Sequence, residues 1–383
     1  MMYTRLFFNL IYKLTIVTLS ALALWSCSDK DTADEPQPTS RRCVLVYMLA
    51  DNSLGHYGYD HDDIAEMESW ARTGNFNGCD VMVYHVASGG EATLESLTRQ
   101  GLKVEKRYEF DPEVYSVDVN RMRQVIRDMK NISPADNYGI ILWSHSDGWQ
   151  ENKYSRSWGQ DRTMTMKISS LAKALDGTGW EFIYFDSCHG ITVEVVYELR
   201  NLAPVIAGST AELPATGMPY ESTLPYFLKD KADIVGAART TFEYYDAQPG
   251  SMRSCTMSVI DTGHLDELAE ATRAIMQTAP ALPDSYRGKP YMVASCTIYD
   301  MADYIHHLDI SDPTLVSEWD TALAKCVVYH DATPSMWQGL IDLTGYCGMG
   351  SWIARDPASA GMFGYMNQAW WKDVVSYNPL LID

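Results

Sequence analysis

Two residue types that can act together as nucleophile and base each follow an apolar run. His145 comes shortly after the run at 138–143, and Cys188 comes shortly after Trp180–Asp186. A thiol attacks a carbonyl carbon as its thiolate, and a neighbouring imidazole can accept its proton. A helix starting near Gly190 would favour the thiolate through its positive end. The pattern therefore predicts a cysteine nucleophile with a histidine base.

Both residues also have ordinary structural interpretations. A Cys at the end of a strand is usually a core residue, and a His after a strand is usually a surface or capping residue. Their shared placement favours the pair, because the functional crevice of an open parallel sheet lies beyond the carboxyl ends of its strands. The chain between them is long enough for a loop and a helix, so both side chains could reach one edge of a sheet.

The elements that must position this pair are visible in the hydrophobic patterns. Continuous apolar, β-rich runs predict buried strands, and apolar residues at helical spacing predict helices. The predicted strands are 43–49, 79–86, 138–143, 180–186 and 204–208, and the predicted helices are 60–72, 116–131, 168–175 and 191–202. This alternation predicts an α/β fold with a mostly parallel sheet and helices on both of its faces.

Two stretches are less regular. Residues 150–166 are polar, have no clear period and are predicted to form a long exposed loop. Beyond about residue 255 the predictions are one strand, two helices and an aromatic-rich tail of strands and turns packed against the main domain. These lie at 257–260, 265–276, 317–329 and 337–371.

The N-terminal segment predicts export and a lipid anchor. Arg5 and Lys13 accompany an apolar stretch at 14–24, which suits a secretory signal peptide and is too short to span a bilayer. The stretch runs into Leu-Trp-Ser-Cys, which resembles a bacterial lipobox and predicts a signal peptide at 1–26 with lipid on Cys27. An ordinary signal peptide followed by a chance Cys is the alternative.

Residues 27–42 are polar and acidic and predict a flexible tether. The acidic run at 28–31 resembles the surface-export signal of Bacteroidetes lipoproteins. The predicted location is therefore the cell envelope, with the chain anchored by lipid in the outer membrane or at the cell surface of a Gram-negative bacterium.

Composition excludes some classes of function. The chain has 383 residues, 46% of them hydrophobic, which suits a large core. A formal charge of -20 makes nucleic acid an improbable partner, because phosphate binding requires a basic surface. Apart from Cys27, seven Cys remain, so at least one is unpaired in an exported protein. Without a CxxC or a zinc-like spacing, no structural metal is predicted. The other Cys are expected to be buried, with disulfides as the alternative.

Four segments of the chain carry a family resemblance. The sequence at 139–149 resembles the catalytic His segment of clostripain-like cysteine peptidases, and 186–199 resembles their catalytic Cys segment. Residues 44–64 are similar to the family's first strand and helix, and 207–220 to the segment after the Cys helix. The similarity covers about residues 43–230, in order.

The resemblance implies a caspase-like α/β/α sandwich with a C-terminal extension. Its catalytic domain would span residues 43–250, with a C-terminal part at 251–383 packed on it. In the implied mechanism Cys188 attacks the peptide carbonyl and His145 serves as its base. The backbone N–H groups of Cys188 and Ser146 would bind the oxyanion.

Ser146 departs from the family pattern, which usually has Gly directly after the His. A position that requires positive φ would disfavour Ser. A weakly active or inactive caspase-fold surface lipoprotein, acting as a binding module, is therefore the alternative function. A serine hydrolase using Ser144 or Ser146 is disfavoured, because neither lies in a G-x-S-x-G turn. His189, beside the nucleophile, is expected to face solvent, with tuning of the thiol as the alternative.

The resemblance also suggests a substrate class. Asp186 corresponds to a family residue of the S1 pocket, where a carboxylate would pair with a substrate Arg or Lys; a turn or helix-capping role is its structural alternative. Glu212 is a second acidic candidate. The predicted activity is cleavage of proteins or peptides after a basic residue.

Relatives are often activated by cleavage between the His and Cys segments, sometimes with calcium. Three basic residues offer self-cleavage sites in the 150–166 stretch: Lys153, Arg156 and Arg162. The sequence has no EF-hand pattern, so calcium is implied by the resemblance alone, and no other cofactor is predicted. The sequence predicts no oligomeric state.

Overall fold

A computed structural model describes residues 39–151, 157–292 and 298–382. The predicted signal peptide and Cys27 lie outside the described residues. Among the helices in the described part of the chain, none has the length and apolar character needed to cross a membrane.

The centre of the fold is one nine-stranded sheet. Numbered along the chain, the strands are β1 (Ser40–Leu49), β2 (Cys79–Val86), β3 (Ala92–Thr98), β4 (Gly101–Tyr108), β5 (Ala135–Trp143), β6 (Trp158–Asp161), β7 (Met164–Met166), β8 (Trp180–Asp186), β9 (Val205–Gly208), β10 (Thr256–Asp261), β11 (Tyr299–Asp300), β12 (Val327–Ala332), β13 (Ser335–Met336), β14 (Ile341–Asp342) and β15 (Gly350–Ser351). The sheet order is β12-β10-β9-β8-β5-β1-β2-β3-β4. The five strands from β9 to β2 are parallel, and antiparallel strands extend the sheet at both edges.

Helices cover both faces of this sheet. They are α1 (Ser53–His56), α2 (Tyr59–Thr73), α3 (Val119–Ile132), α4 (Ile168–Leu175), α5 (Val193–Leu199), α6 (Tyr220–Phe227), α7 (Ile234–Asp246), α8 (Leu265–Gln277), α9 (Met301–His306), α10 (Pro313–Cys326), α11 (Pro357–Ala360) and α12 (Ala369–Asp373). Side chains of α2, α6 and α7 share one core, and side chains of α3, α4, α5, α8 and α10 share the other.

The strand β1 shows how one apolar run supplies both cores. Leu45 and Tyr47 belong to the core on one side of the sheet, whereas Val44 and Val46 belong to the core on the other. All four side chains are fully buried. Alternation along a strand therefore explains why the sequence is continuously apolar, as expected for a central strand of a parallel sheet. The predicted caspase-like α/β/α architecture is confirmed.

Several local predictions were wrong. Residues 150–166 are not one exposed loop, because β6 and β7 form a hairpin and Trp158 is fully buried. The helix predicted at 317–329 ends at Cys326, where β12 begins and pairs with β10. Both β10 and β12 lie beyond residue 250, so the central sheet continues past the expected limit of the catalytic domain. The strands β3 and β4 were missed.

Candidate functional site

The predicted nucleophile and base line the same cleft. His145 follows β5 and Cys188 follows β8, two neighbouring parallel strands whose carboxyl ends meet at one edge of the sheet. Together with Asp186, Leu213 and Gly217 they border a cleft of about 110 Å³. The topology thus brings the two residues together in the way that strand-end placement predicts.

The Cys188 sulfur contacts the backbone of Leu213. It lies 3.7 Å from the carbonyl oxygen of Leu213 and accepts a hydrogen bond from the Leu213 N–H at 3.4 Å. Burial raises the pKa of Cys188 to about 12, and the nearby charges of Glu212, Asp147 and Asp186 raise it further. A reactive thiolate therefore requires proton transfer to a base.

The helix after the nucleophile contributes less than expected. We expected α5 to start near Gly190, with its positive end close to the thiol. Instead α5 starts at Val193 and is capped by Thr192. Because the helix macrodipole acts mainly within the first turn, the sulfur gains little from it.

His145 is held at both its backbone and its ring. Its carbonyl accepts a hydrogen bond from Gly159 N–H at 2.9 Å. Its ring atom Nε2 lies 2.8 Å from the hydroxyl oxygen of Ser53, the first residue of α1. Sequence reasoning missed Ser53, although it follows β1 at the same edge of the sheet.

Ser146 does not create the backbone conflict expected from the sequence. In the described chain it is not among the residues with positive φ, which Gly148 adopts instead with φ of 71°. Ser146 faces Trp158 in an antiparallel bridge, and its hydroxyl donates to the Ser157 carbonyl at 2.8 Å. Ser146 is therefore compatible with the backbone conformation at this position.

The two backbone N–H groups predicted to bind an oxyanion remain unused within the described residues. Neither Ser146 N–H nor Cys188 N–H donates a hydrogen bond there. Ser146 occupies a non-hydrogen-bonded position of its bridge with Trp158, so its N–H points away from that partner. Neither N–H group is therefore committed to a hydrogen-bond acceptor among the described residues.

His189 is buried and does not face solvent, contrary to expectation. Its side chain is 1% exposed, its φ is 56°, and its Nδ1 lies 3.0 Å from the Thr210 carbonyl oxygen. Burial lowers the pKa of His189, so the neutral imidazole is favoured. The residue braces the turn that presents Cys188, because its carbonyl and Cβ lie against Gly148.

Asp186 lies in the wall of the cleft and is buried. Its carboxylate accepts hydrogen bonds from Met218 N–H at 3.0 Å and from the Tyr220 hydroxyl at 2.9 Å. Burial raises its pKa to about 7, and these two donors oppose that rise. The side chain does not cap α5, which leaves its ligand-binding interpretation in place.

A second buried acid, Asp63 of α2, lies beside Asp186. Its Oδ2 accepts a hydrogen bond from the Trp143 indole at 2.6 Å. Burial raises the pKa of Asp63 well above its usual range, and the charge of Asp186 adds to the rise. Sequence reasoning gave Asp63 no role. A signal was present, because Asp63 shares the apolar helical face of Met67 and Trp70.

Glu212 is not part of this cleft wall. Its Oε2 accepts a hydrogen bond from the Trp337 indole at 2.8 Å, in the turn between β13 and β14. Its negative charge acts to raise the pKa of both Cys188 and His189. The structure therefore places Glu212 near the nucleophile but pairs it with the C-terminal part of the chain.

Of the three proposed cleavage sites, only Arg162 lies in the described residues; Lys153 and Arg156 fall outside them. The Arg162 guanidinium lies 3.9 Å from the ring centre of Tyr115 and donates to the carbonyls of Pro112 and Val114. These contacts hold the Arg162 side chain in the β6–β7 turn.

Residues beyond 340 form hydrogen bonds with the segment that follows Cys188. Gly350 N–H donates to the Ile191 carbonyl, and Trp352 N–H donates to the buried carboxylate of Glu194 at 2.8 Å. Burial raises the pKa of Glu194 to about 7. The C-terminal part therefore holds the segment that follows Cys188 and has a structural role at the site.

The described residues contain no group of three or more His, Cys, Asp or Glu side chains able to hold a metal ion. This finding offers no side-chain cluster for the calcium that the family resemblance implies, and no mechanistic step is assigned to a metal.

The chain is similar to known cysteine proteases. The model of the clostripain family matches residues 46–333. An inactive zymogen C11 protease from Parabacteroides distasonis is 26% identical, with 88% of this chain and 98% of that chain covered and a TM-score of 0.76. A secreted C11 cysteine protease from Bacteroides thetaiotaomicron, solved with an irreversible peptide inhibitor, is 27% identical, with 87% and 98% covered and a TM-score of 0.76.

A third structure supports the fold. It is another secreted C11 cysteine protease from Bacteroides thetaiotaomicron, 22% identical, with 88% of this chain and 99% of that chain covered and a TM-score of 0.77. A search of curated proteins gives no match.

Proposed function

The chain belongs to the clostripain family and is a cysteine peptidase, and we propose that it is an extracytoplasmic endopeptidase that cleaves after Arg or Lys. The observation that carries the specificity is the buried carboxylate of Asp186 in the wall of the cleft that also holds Cys188 and His145. Protein or peptide substrates follow from the family.

The proposed chemistry uses Cys188 and His145 as a dyad. The thiol proton passes to the imidazole as the sulfur forms a bond to the scissile carbonyl carbon. The resulting oxyanion accepts hydrogen bonds from the N–H groups of Cys188 and Ser146. The imidazolium then gives its proton to the leaving amine, and water hydrolyses the acyl-enzyme to restore the thiol.

The proposed specificity rests on charge. Among the described residues no cationic side chain pairs with Asp63 or Asp186. A buried carboxylate without a cation is costly to ionise, which is why the pKa of Asp186 is raised to about 7. A guanidinium or ammonium group in the cleft would supply the missing charge, whereas an apolar or acidic side chain would not.

We propose that activation involves self-cleavage in the 150–166 stretch. In support of this proposal, one similar structure is an inactive zymogen. The contacts of Arg162 leave Lys153 and Arg156 as the better candidate sites.

The proposed location is the cell envelope, with the chain anchored through lipid on Cys27. This proposal rests on the apolar stretch and the lipobox-like sequence at the N-terminus. Metabolic labelling with an alkyne fatty acid tests it. The wild-type chain should incorporate label, and the Cys27→Ser variant should lose it; equal labelling of both would contradict the anchor.

The activity is tested with short reporter peptides that carry Arg, Lys, Asp or Ala before the cleaved bond. Incubation should first be followed by mass spectrometry, so that any processing is complete. Hydrolysis of the Arg and Lys peptides, absent from the Cys188→Ala variant, would support the proposal. Thiol-dependent hydrolysis restricted to the Asp or Ala peptides would overturn its specificity, and no hydrolysis after processing would overturn the activity.

A further inference from the structure

We infer that Ser53 is a positioning residue for the catalytic base. The inference extends the proposed role of His145 in this peptidase. The hydroxyl oxygen of Ser53 lies 2.8 Å from His145 Nε2, a hydrogen-bond distance. In many cysteine and serine hydrolases a third group fixes the orientation of the ring of the base.

The position of Ser53 is itself rigidly built. It begins α1, directly after the capping residue Asn52. The Asn52 side-chain oxygen accepts a hydrogen bond from Leu54 N–H at 2.9 Å. Its side-chain nitrogen donates at 2.8 Å to the carbonyls of Leu49 and Gln160. The turn that carries the Ser53 hydroxyl is therefore fixed to the end of β1 and to β6.

His145 is fixed to the same two strands. The hydroxyl of the preceding residue, Ser144, donates to the Leu49 carbonyl at 3.2 Å and accepts from Gln160 N–H at 3.0 Å. Leu49 and Gln160 thus hold both Asn52 and Ser144. Because the same two backbone positions bond to the residues that precede Ser53 and His145, the fold sets the distance between these two side chains.

This contact assigns separate tasks to the two ring nitrogens. With Nε2 bonded to the Ser53 hydroxyl, the thiol proton of Cys188 is taken up at Nδ1. In the imidazolium both nitrogens carry hydrogen, so Nε2–H donates to the Ser53 oxygen and the charge is stabilised. The Nδ1 proton then passes to the leaving amine, and the ring returns to its neutral form with Nε2 still bonded.

The test compares Ser53→Ala, which removes the hydroxyl, with Ser53→Thr, which keeps the hydroxyl and adds one methyl group. Ser317→Ala, at an exposed position of α10 far from the cleft in sequence, is the matched control. Melting temperature confirms that each variant is folded. The readouts are kcat and KM on the peptide that the wild type cleaves, each across pH 5 to 9.

In the Ser53→Ala variant kcat should fall roughly tenfold, the effect of losing one hydrogen bond to a charged group. KM should change less than about twofold, and the acid limb of the kcat profile should move to lower pH because the imidazolium loses an acceptor. Ser53→Thr should restore most of kcat, and Ser317→Ala should match the wild type. An unchanged kcat and profile in Ser53→Ala would overturn the inference, as would a higher kcat, which would mean that Ser53 restrains the base.

A second readout separates this inference from the proposed function. Alkylation of Cys188 by iodoacetamide, followed by mass spectrometry across the same pH range, requires no peptide substrate. If the wild type cleaves no peptide, the proposed function fails, but Ser53→Ala should still change the pH dependence of alkylation. Identical alkylation curves in wild type and Ser53→Ala would overturn the role of Ser53 by itself.

Discussion

The carboxylates of Asp63 and Asp186 converge on Gly217. A Cβ atom added to this glycine would lie 3.2 Å from an oxygen of each acid. Asp63 comes from α2 and Asp186 ends β8, so the tertiary fold brings the pair together. Burial raises the pKa of both side chains. Such a pair costs stability in the empty enzyme and gains from a cationic ligand.

Replacement of Asp186 by Asn should change the pH dependence of stability. An acid whose pKa is higher in the folded than in the unfolded chain destabilises the fold as pH rises between the two values. For Asp186 that window runs from 3.8 to about 7. Because Asn does not ionise, the melting temperature of Asp186→Asn relative to wild type should be higher at pH 8 than at pH 5.

Thermal unfolding at both pH values measures this effect, on the order of 1.4 kcal/mol for each pKa unit of the shift. The control is Asp176→Asn, which alters an exposed acid at the end of α4. The difference between its melting temperature and that of wild type should be the same at pH 5 and at pH 8. If the melting temperature of Asp186→Asn differs from that of wild type by the same amount at pH 5 and pH 8, the raised pKa of Asp186 is contradicted.

Replacement of Gly217 by Ala should weaken the binding of basic substrates. Gly217 has φ of 62°, where any other residue costs about 1–2 kcal/mol. The new Cβ would also press on both carboxylates. Gly177→Ala is the matched control, since that glycine has φ of 82° and open space around its Cα. Both variants should lose stability from the backbone strain, Gly217→Ala the more because of the added crowding, and KM for an Arg peptide should rise, by about fivefold or more, only in Gly217→Ala. An equal KM in the two variants would argue against crowding of the acid pair.

Replacement of Glu194 by Ala should uncouple the C-terminal part from the nucleophile segment. The change leaves the buried Trp352 N–H without its acceptor and opens space beside α5. Loss of one partner of a buried hydrogen bond costs about 1–3 kcal/mol. We expect a lower melting temperature and a lower kcat, measured beside Glu198→Ala, a partly exposed acid of the same helix. Wild-type kcat in Glu194→Ala would show that the C-terminal part does not support the site.

Sequence patterns predicted the parallel core well because its strands are buried on both faces. Trp180–Asp186 and Cys79–Val86 were predicted with their observed bounds. This placed Cys188 correctly, since a residue that follows a central strand must lie at the functional edge. By contrast, β4 is rich in charged residues and most of its side chains are at least partly exposed, so its sequence resembles that of a loop.

The rest of the site depends on tertiary contacts that local patterns do not contain. The sequence does not show that Gly148 rather than Ser146 adopts positive φ, or that Trp337 engages Glu212 from more than a hundred residues away. Asp63 lies in an otherwise apolar helical stripe, and a buried acid there could have been suspected. Its partner Asp186 could not be identified before the helix was placed on the sheet.

The most direct test of the central claim is covalent labelling of the nucleophile with matched peptide chloromethyl ketones ending in Lys or Leu. Intact mass and peptide mapping identify the modified residue, and the labelling rate measures preference. We predict one adduct, on Cys188, formed at least tenfold faster with Lys than with Leu, and loss of that preference in Asp186→Asn. Labelling of another residue, or equal rates with Lys and Leu in the processed wild-type enzyme, would contradict the account.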